Sequence, residues 1–134
     1  MRTAFEIVKA HYDANDRGDL VGMLADIGPT TRWTEMAGFP CAGTYIGPDE
    51  VVENVFKFLG SVFDKYSFKL DRLLDAGENV VAIGDYTATH RATGKAMHAR
   101  VVHVWRCSDN KIASFEQFTD TLLVANSMRN EEQK

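Results

Sequence analysis

Apolar and polar residues alternate with period two along the second half of the chain and recur with a helical period along the first. In residues 97–107, Ala99, Val101, His103 and Trp105 fall on one strand face. After a turn at 108–111, residues 112–121 place Phe115, Gln117 and Thr119 on one face of a returning strand. This predicts a long β-hairpin. Residues 66–74 and 79–90 predict two more strands, with turns at 75–78 and 92–95. In residues 3–17 the stripe Phe5, Val8, Tyr12, flanked by Ala4, Ile7 and His11, predicts a helix that stops at Gly18. Asp19 then caps a short second helix to Ala25. Gly28-Pro29 breaks the chain, and residues 30–36 alternate as a strand with Thr31, Trp33 and Glu35 on one face. Residues 38–47 read as a glycine-rich loop. Pro48, Asp49 and Glu50 open a third helix, carried to Lys65 by Val51, Val55, Phe58, Leu59, Val62 and Phe63.

The predicted order α-α-β-α-β-β-β-β is an α+β pattern. A curved antiparallel sheet wrapped over a long helix makes a cone with a pocket inside. Residues 121–128 are expected to close the chain as a short helix, with a frayed tail from Arg129. A single domain over 1–134 is expected, with neither repeat nor linker.

Composition narrows the function classes. The chain has 134 residues, 45% hydrophobic and 25% charged, with a net charge of −4. There is no basic footprint for nucleic acid, and no apolar run approaches the roughly 20 residues of a membrane span. The charged start, with Glu6 and Lys9, lacks a signal-peptide core, so a cytoplasmic location is expected. Cys41 and Cys107 have no metal-ligand spacing and read as free thiols. No phosphate loop, metal cluster or Gly-x-Ser-x-Gly elbow occurs, so neither cofactor nor metal is expected. Isolated His103 and Gln117 among aromatic and β-branched neighbours suggest a small-molecule cavity. Trp33, Phe39, Val101, Trp105, Phe115 and Gln117 are its expected lining. Arg100, Val102 and Val104 face the other way, and valines on an outer sheet face predict a homodimer surface.

Four local features carry a family resemblance: Gly18-Asp19-Leu20 after the first helix; Trp33-Thr-Glu-Met-Ala-Gly38 followed by Gly43-x-x-x-Gly47; Val102-His-Val-Trp-Arg106; and Ile112 with Phe115-Glu-Gln-Phe-Thr-Asp120. Over residues 3–126 the chain resembles the SnoaL-like, ketosteroid-isomerase-like proteins of the nuclear-transport-factor-two-like superfamily. The resemblance implies the cone fold. It leaves function open among isomerases, cyclases, epoxide hydrolases, dehydratases and binding modules.

By that resemblance Glu35 stands where ketosteroid isomerases place a proton-moving carboxylate, usually aspartate. Trp33 on the same face and nearby Phe39 supply apolar surroundings that raise a carboxylate's pKa; alternatively Glu35 is a rim carboxylate in water. His103 stands where those isomerases place a hydrogen-bond donor to an oxyanion, and on this strand several SnoaL-like cyclases use a histidine. It is a donor, an acid/base, or a core histidine. His11 occupies the position of the isomerases' oxyanion tyrosine and Tyr12 follows it; one residue rotates a helix by about 100°, so either faces the pocket or packs helix to sheet. Asp120 resembles the cyclases' aspartate but is equally a helix N-cap, and alternation turns it away from the Gln117 face. Arg100 lacks the acids of an epoxide-hydrolase Asp-Arg-Asp cluster.

The leading expectation is a cofactor-independent acid/base enzyme acting on a small apolar, carbonyl-bearing molecule. The alternatives are a non-catalytic ligand-binding module and a dimeric interaction domain with a filled pocket.

Overall fold

The computed structural model describes residues 1–130. The outer part of the tail expected to fray, 131–134, lies outside them. Helix α1 (Ala4–Asp16) starts at a capping box: Glu6 N–H donates to Thr3 Oγ1 (3.1 Å), and Thr3 N–H donates to Glu6 Oε1 (2.8 Å). Its stripe Ile7, Val8, His11 and Tyr12 is buried against the sheet. Asp19 caps α2 (Leu20–Leu24) by accepting from Gly22 N–H. Strand β1 (Ile27–Glu35) starts ahead of the expected position. Ile27 pairs with Ile112, and the break at Gly28-Pro29 is a register shift within the strand rather than its boundary.

The expected loop at 38–47 contains a short strand, β2 (Gly43–Ile46), antiparallel to β1. It is a mostly exposed edge, so it carries no buried-face alternation for a sequence pattern to reveal. The third helical region runs through α3 (Gly47–Val51), a π-helical turn (Val52–Phe56) and α4 (Lys57–Val62), burying Val51, Val55 and Leu59. It ends before the expected Lys65. Phe63 is already extended, with φ −116° and ψ 142°, and pairs with His90 as the first residue of β3 (Phe63–Ala76). Phe63 suits a helix stripe and a strand equally, and the pairing with His90 decides.

Strands β4 (Asn79–His90), β5 (Ala96–Ser108) and β6 (Lys111–Thr119) follow, and α5 (Thr121–Ser127) packs on β5. The sheet order is β2-β1-β6-β5-β4-β3. All neighbours are antiparallel except β1 and β6, which pair parallel. The α+β cone class stands, with one parallel pairing and one strand, β2, added to the predicted order; α5 is the closing helix expected at 121–128. No helix among the described residues is long and apolar enough to cross a membrane.

Strict alternation sends Val80, Ala82, Gly84, Tyr86 and Ala88 of β4, and Met97, Ala99, Val101, His103 and Trp105 of β5, to the concave face. Gly84 is required there. A Cβ on it would stand 2.3 Å from Lys69 O and 2.7 Å from Phe68 Cζ, at the bulge where the β3–β4 register shifts between Leu70 and Arg72. Gly84→Ala is therefore expected to lose about 1–3 kcal/mol, read as a lower urea midpoint; an unchanged midpoint would show that β3 lifts off β4 freely.

Candidate functional site

Between the concave face, α1 and the 47–62 helical region lies a cavity of about 460 Å³. Each element contributes by its own period: α1 gives His11 and Tyr12, β1 gives Trp33 and Glu35, and β3 gives Tyr66 and Phe68. Strand β4 gives Tyr86, β5 gives His103 and Trp105, and β6 gives Phe115. The register sets His103 opposite Gln117 and Trp105 opposite Phe115, and pairs Trp33 with Phe115 on the other side of β6. The rings of Trp33 and Phe115 stack at 3.8 Å, and the Trp105 ring meets each from the side at 5.6 and 4.7 Å.

A continuous chain of buried hydrogen bonds runs through these side chains. Trp105 Nε1 donates to the Tyr12 hydroxyl (2.8 Å), which pairs with His103 Nδ1 (2.6 Å). His103 Nε2 pairs with the Tyr86 hydroxyl (2.7 Å). Gln117 Nε2 donates to that hydroxyl (2.7 Å) and to Glu35 Oε1 (3.1 Å). Trp33 Nε1 donates to Glu35 Oε2 (2.7 Å), and the Cys41 thiol approaches Oε1 at 3.8 Å.

Counting hydrogens shows what the chain can do. Trp105 and Gln117 spend all their side-chain N–H groups on it. The two links on either side of His103 then need two hydrogens, while a neutral imidazole and two hydroxyls supply three. If Tyr12 donates to Nδ1, Nε2–H donates to Tyr86, and the Tyr86 hydrogen is spare. The opposite polarity leaves the Tyr12 hydrogen spare. One hydroxyl hydrogen is therefore left without an acceptor within this chain, at one end of the imidazole or the other. The Tyr66 ring packs 5.2 Å from the Tyr86 ring and extends the wall at that end.

Burial sets the charge states. Desolvation pushes the Glu35 carboxyl up to about 7 against the pull of its three hydrogen-bond donors. The site thus holds a carboxyl that exchanges protons near neutrality. Desolvation, with His11 nearby, lowers His103 to about 3, so it stays neutral. His11 is lowered to about 4 by burial, partly offset by its hydrogen bond to Met23 O. Because a carbonyl only accepts, His11 Nδ1 carries the hydrogen of that 2.9 Å bond. Tyr12, Tyr66 and Tyr86 are raised well above 10 by burial and stay protonated.

The structure brings Glu35, His103, His11, Tyr12, Trp33, Trp105 and Phe115 onto the cavity wall. His11 and Tyr12 both line it, because the helix sits with its stripe between the two residues. Tyr12, not His11, joins the hydrogen-bond chain. His103 has both ring nitrogens taken by tyrosine hydroxyls, so neither nitrogen is left to face the cavity as a direct donor. Gln117 lies fully buried behind the wall, holding Glu35 and Tyr86. Phe39 and Val101 are buried core residues outside the lining; Phe39 packs 6.0 Å from the Tyr86 ring. Asp120 does not reach the cavity. It caps α5 by accepting from Leu123 N–H (3.1 Å), since alternation past Gln117 and Thr119 turns it away.

Tyr86, Tyr66 and Phe68 are wall residues that sequence reasoning missed. Period two along β4 was enough to put Tyr86 inside, but the β3 residues depend on bulges that no local pattern announces. Among the described residues no group of three or more His, Cys, Asp or Glu is placed to hold a metal.

An α+β cone enclosing an aromatic cavity with a few buried polar groups defines a small-molecule-binding domain. The chain belongs to the SnoaL-like domain family, whose model matches residues 8–115. It is 58% identical, with a TM-score of 0.95, to an NTF2-like protein from Burkholderia thailandensis, over 97% of this chain and 100% of that one. A second NTF2-like protein, of unknown function and from Burkholderia pseudomallei, is 28% identical with a TM-score of 0.86, over 97% and 100%. Patulin synthesis protein F of Aspergillus clavatus is 35% identical over 66% of this chain and 46% of its own length. The chain thus spans under half the length of the curated relatives it matches.

The raised Glu35 carboxyl has a thermodynamic signature. Unfolded, it ionises near 4.5; folded, at about 7. The folded chain holds an extra proton between those values, so this group's contribution to stability falls as pH rises through that window. His11 and His103 act oppositely, withdrawing stability as pH falls below 6.5. Against the wild type, Glu35→Gln should gain on the order of 3 kcal/mol between pH 4.5 and 7.5, measured by urea unfolding across that range. A pH-independent difference would show that Glu35 ionises as an ordinary carboxylate.

Proposed function

We propose that this protein is a cofactor-independent acid/base enzyme of isomerase, cyclase or dehydratase type, acting on a small, largely apolar, carbonyl-bearing molecule. The observation that carries the reading is the buried Glu35 carboxyl, held near neutrality beside hydroxyls that always leave one hydrogen unshared. Glu35 and Tyr86 are both bonded to Gln117 Nε2, so a substrate carbonyl at the hydroxyl sets its neighbouring carbon toward the carboxylate. Glu35 takes the proton from that carbon. The spare hydrogen of Tyr86 or Tyr12 meets the developing enolate oxygen. His103 is a positioning residue that lets that hydrogen appear at either tyrosine by reversing the polarity of its two bonds. The aromatic wall excludes water and strengthens each of these contacts. The matched relative named for patulin synthesis supports a role on a small organic substrate, and the free thiols Cys41 and Cys107 are in keeping with a cytoplasmic setting.

Exchange of carbon-bound hydrogen for deuterium in a panel of cyclic ketones, followed by NMR, tests this directly. Glu35→Gln is expected to lower the exchange rate on the order of 10²–10⁴-fold while the fold persists. Exchange at the wild-type rate in that variant would sink the mechanism.

We further propose that the working form is a homodimer through the outer sheet face. There Ile83, Val102 and Phe118 stand in one cross-strand row, with Val81 and Val104 in the next, and Phe118 is 43% exposed. Sedimentation should give a dimer that Val102→Asp with Phe118→Asp converts to monomer; a wild-type monomer at all concentrations refutes it.

A further inference from the structure

The cavity changes character between floor and mouth. Its floor is aromatic, with Glu35 and the tyrosine hydroxyls. Its mouth has a polar rim of Asn15, Lys65, Ser67 and Arg91, beside exposed Leu20 and Gly60; Lys65, Ser67 and Arg91 are exposed. Two of these four are cations, and among the described lining residues Glu35 is the only carboxylate. The chain as a whole carries a net charge of −4, so the cationic mouth runs against its average.

The fold holds the Arg91 guanidinium and sets the backbone from which Lys65 projects. Arg91 donates from Nε and Nη2 to Gly60 O (3.3 and 3.0 Å), at the end of the helical region, and Asp64 lies 3.8 Å from Nη2. Asn15 donates to Phe68 O (3.2 Å) and lies 3.5 Å from Asp16. Lys65 has φ 55°, in the left-handed region where a lysine is strained and glycine is at ease. It sits where the β3–β4 ladder breaks between Asp64 and Ser67. That break brings consecutive residues, Lys65 and Tyr66, both onto the cavity wall, which strict alternation forbids. A strained backbone is kept here with a cation at the mouth.

We propose that the cavity takes a ring-bearing carbonyl compound that also carries an anionic group, its rings on the aromatic floor and its anion between Lys65 and Arg91. The proposal rests on the acid/base reading and adds an orientation to it. An anion at the floor meets the Glu35 carboxylate in a low dielectric and is repelled. At the mouth it meets two cations and keeps part of its water. The molecule therefore enters carbonyl first, which brings that carbonyl to the hydroxyls and its neighbouring carbon to Glu35.

Quenching of Trp33 and Trp105 fluorescence by biphenyl-4-carboxylate and by its neutral carboxamide tests the mouth. The carboxylate is expected to bind about fivefold tighter at low salt. The ratio should fall to about one in Lys65→Gln with Arg91→Gln. Lys65→Gly, which suits the left-handed backbone, should shrink the ratio without lowering Tm. Equal binding of the two probes, no quenching by either, or a preference that survives in the double variant overturns the proposal. Anion preference in a protein that exchanges no ketone protons overturns the acid/base reading and upholds the mouth; proton exchange without anion preference does the reverse.

Discussion

Everything at the cavity depends on keeping a carboxyl group out of water without giving it a cation. Glu35 is 3% exposed, and its partners are an indole N–H, an amide N–H and a thiol. Such donors compensate part of the desolvation cost of the charged form but not all of it. The remainder appears as a carboxyl poised at about 7. An arginine in place of Gln117 would hold the group ionised throughout, and bulk water would return it to its ordinary range. The neutral amide instead leaves protonated and ionised Glu35 close in energy, as proton transfer in both directions requires.

The same amide joins the carboxyl to the tyrosines. Gln117 has no spare donor, His103 is kept neutral by burial, and both tyrosines stay protonated. Such a network has few alternatives. Its one freedom is the direction of the two hydrogen bonds at His103, and that freedom moves a donor between two places on the cavity floor. Rigid packing maintains it: the stacked Trp33 and Phe115 rings and the edge-on Trp105 leave the connecting groups little room to turn.

The backbone departs from regularity where the cavity needs it. The π-helical turn at Val52–Phe56 sits under the cavity and supplies Val55 and Phe56 to its wall. The β3 ladder breaks twice, once beside Lys65 and once opposite Gly84. A sheet of uniform strands would curve less and would send every second β3 residue outward. The breaks bend the edge of the sheet over the opening and give its mouth a different chemistry from its floor.

Much of this was legible in the chain. Period two placed His103 and Trp105 on one face of β5 and Phe115 and Gln117 on the matching face of β6, because a strand's side chains can only alternate. The capping residues Asp19 and Asp120 announced their helices by the same local chemistry that closes them. The residues around Trp33 and the Val102–Arg106 run marked the SnoaL-like family, and Glu35 was the evident carboxyl. Three-dimensional packing decided the rest. Whether His11 or Tyr12 joins the buried network depends on how α1 is rotated against the sheet, which a stripe as broad as Phe5–Ile7–Val8–His11–Tyr12 leaves open. Tyr86 meets His103 only because β4 lies beside β5, and β1 reaches β6 only by a parallel pairing across the chain. His103 ended up neutral and hydrogen-bonded between two tyrosines, and Glu35 became a carboxyl poised at about 7, because a pKa depends on neighbours and on lost water, and neither is a property of a residue's place in the sequence.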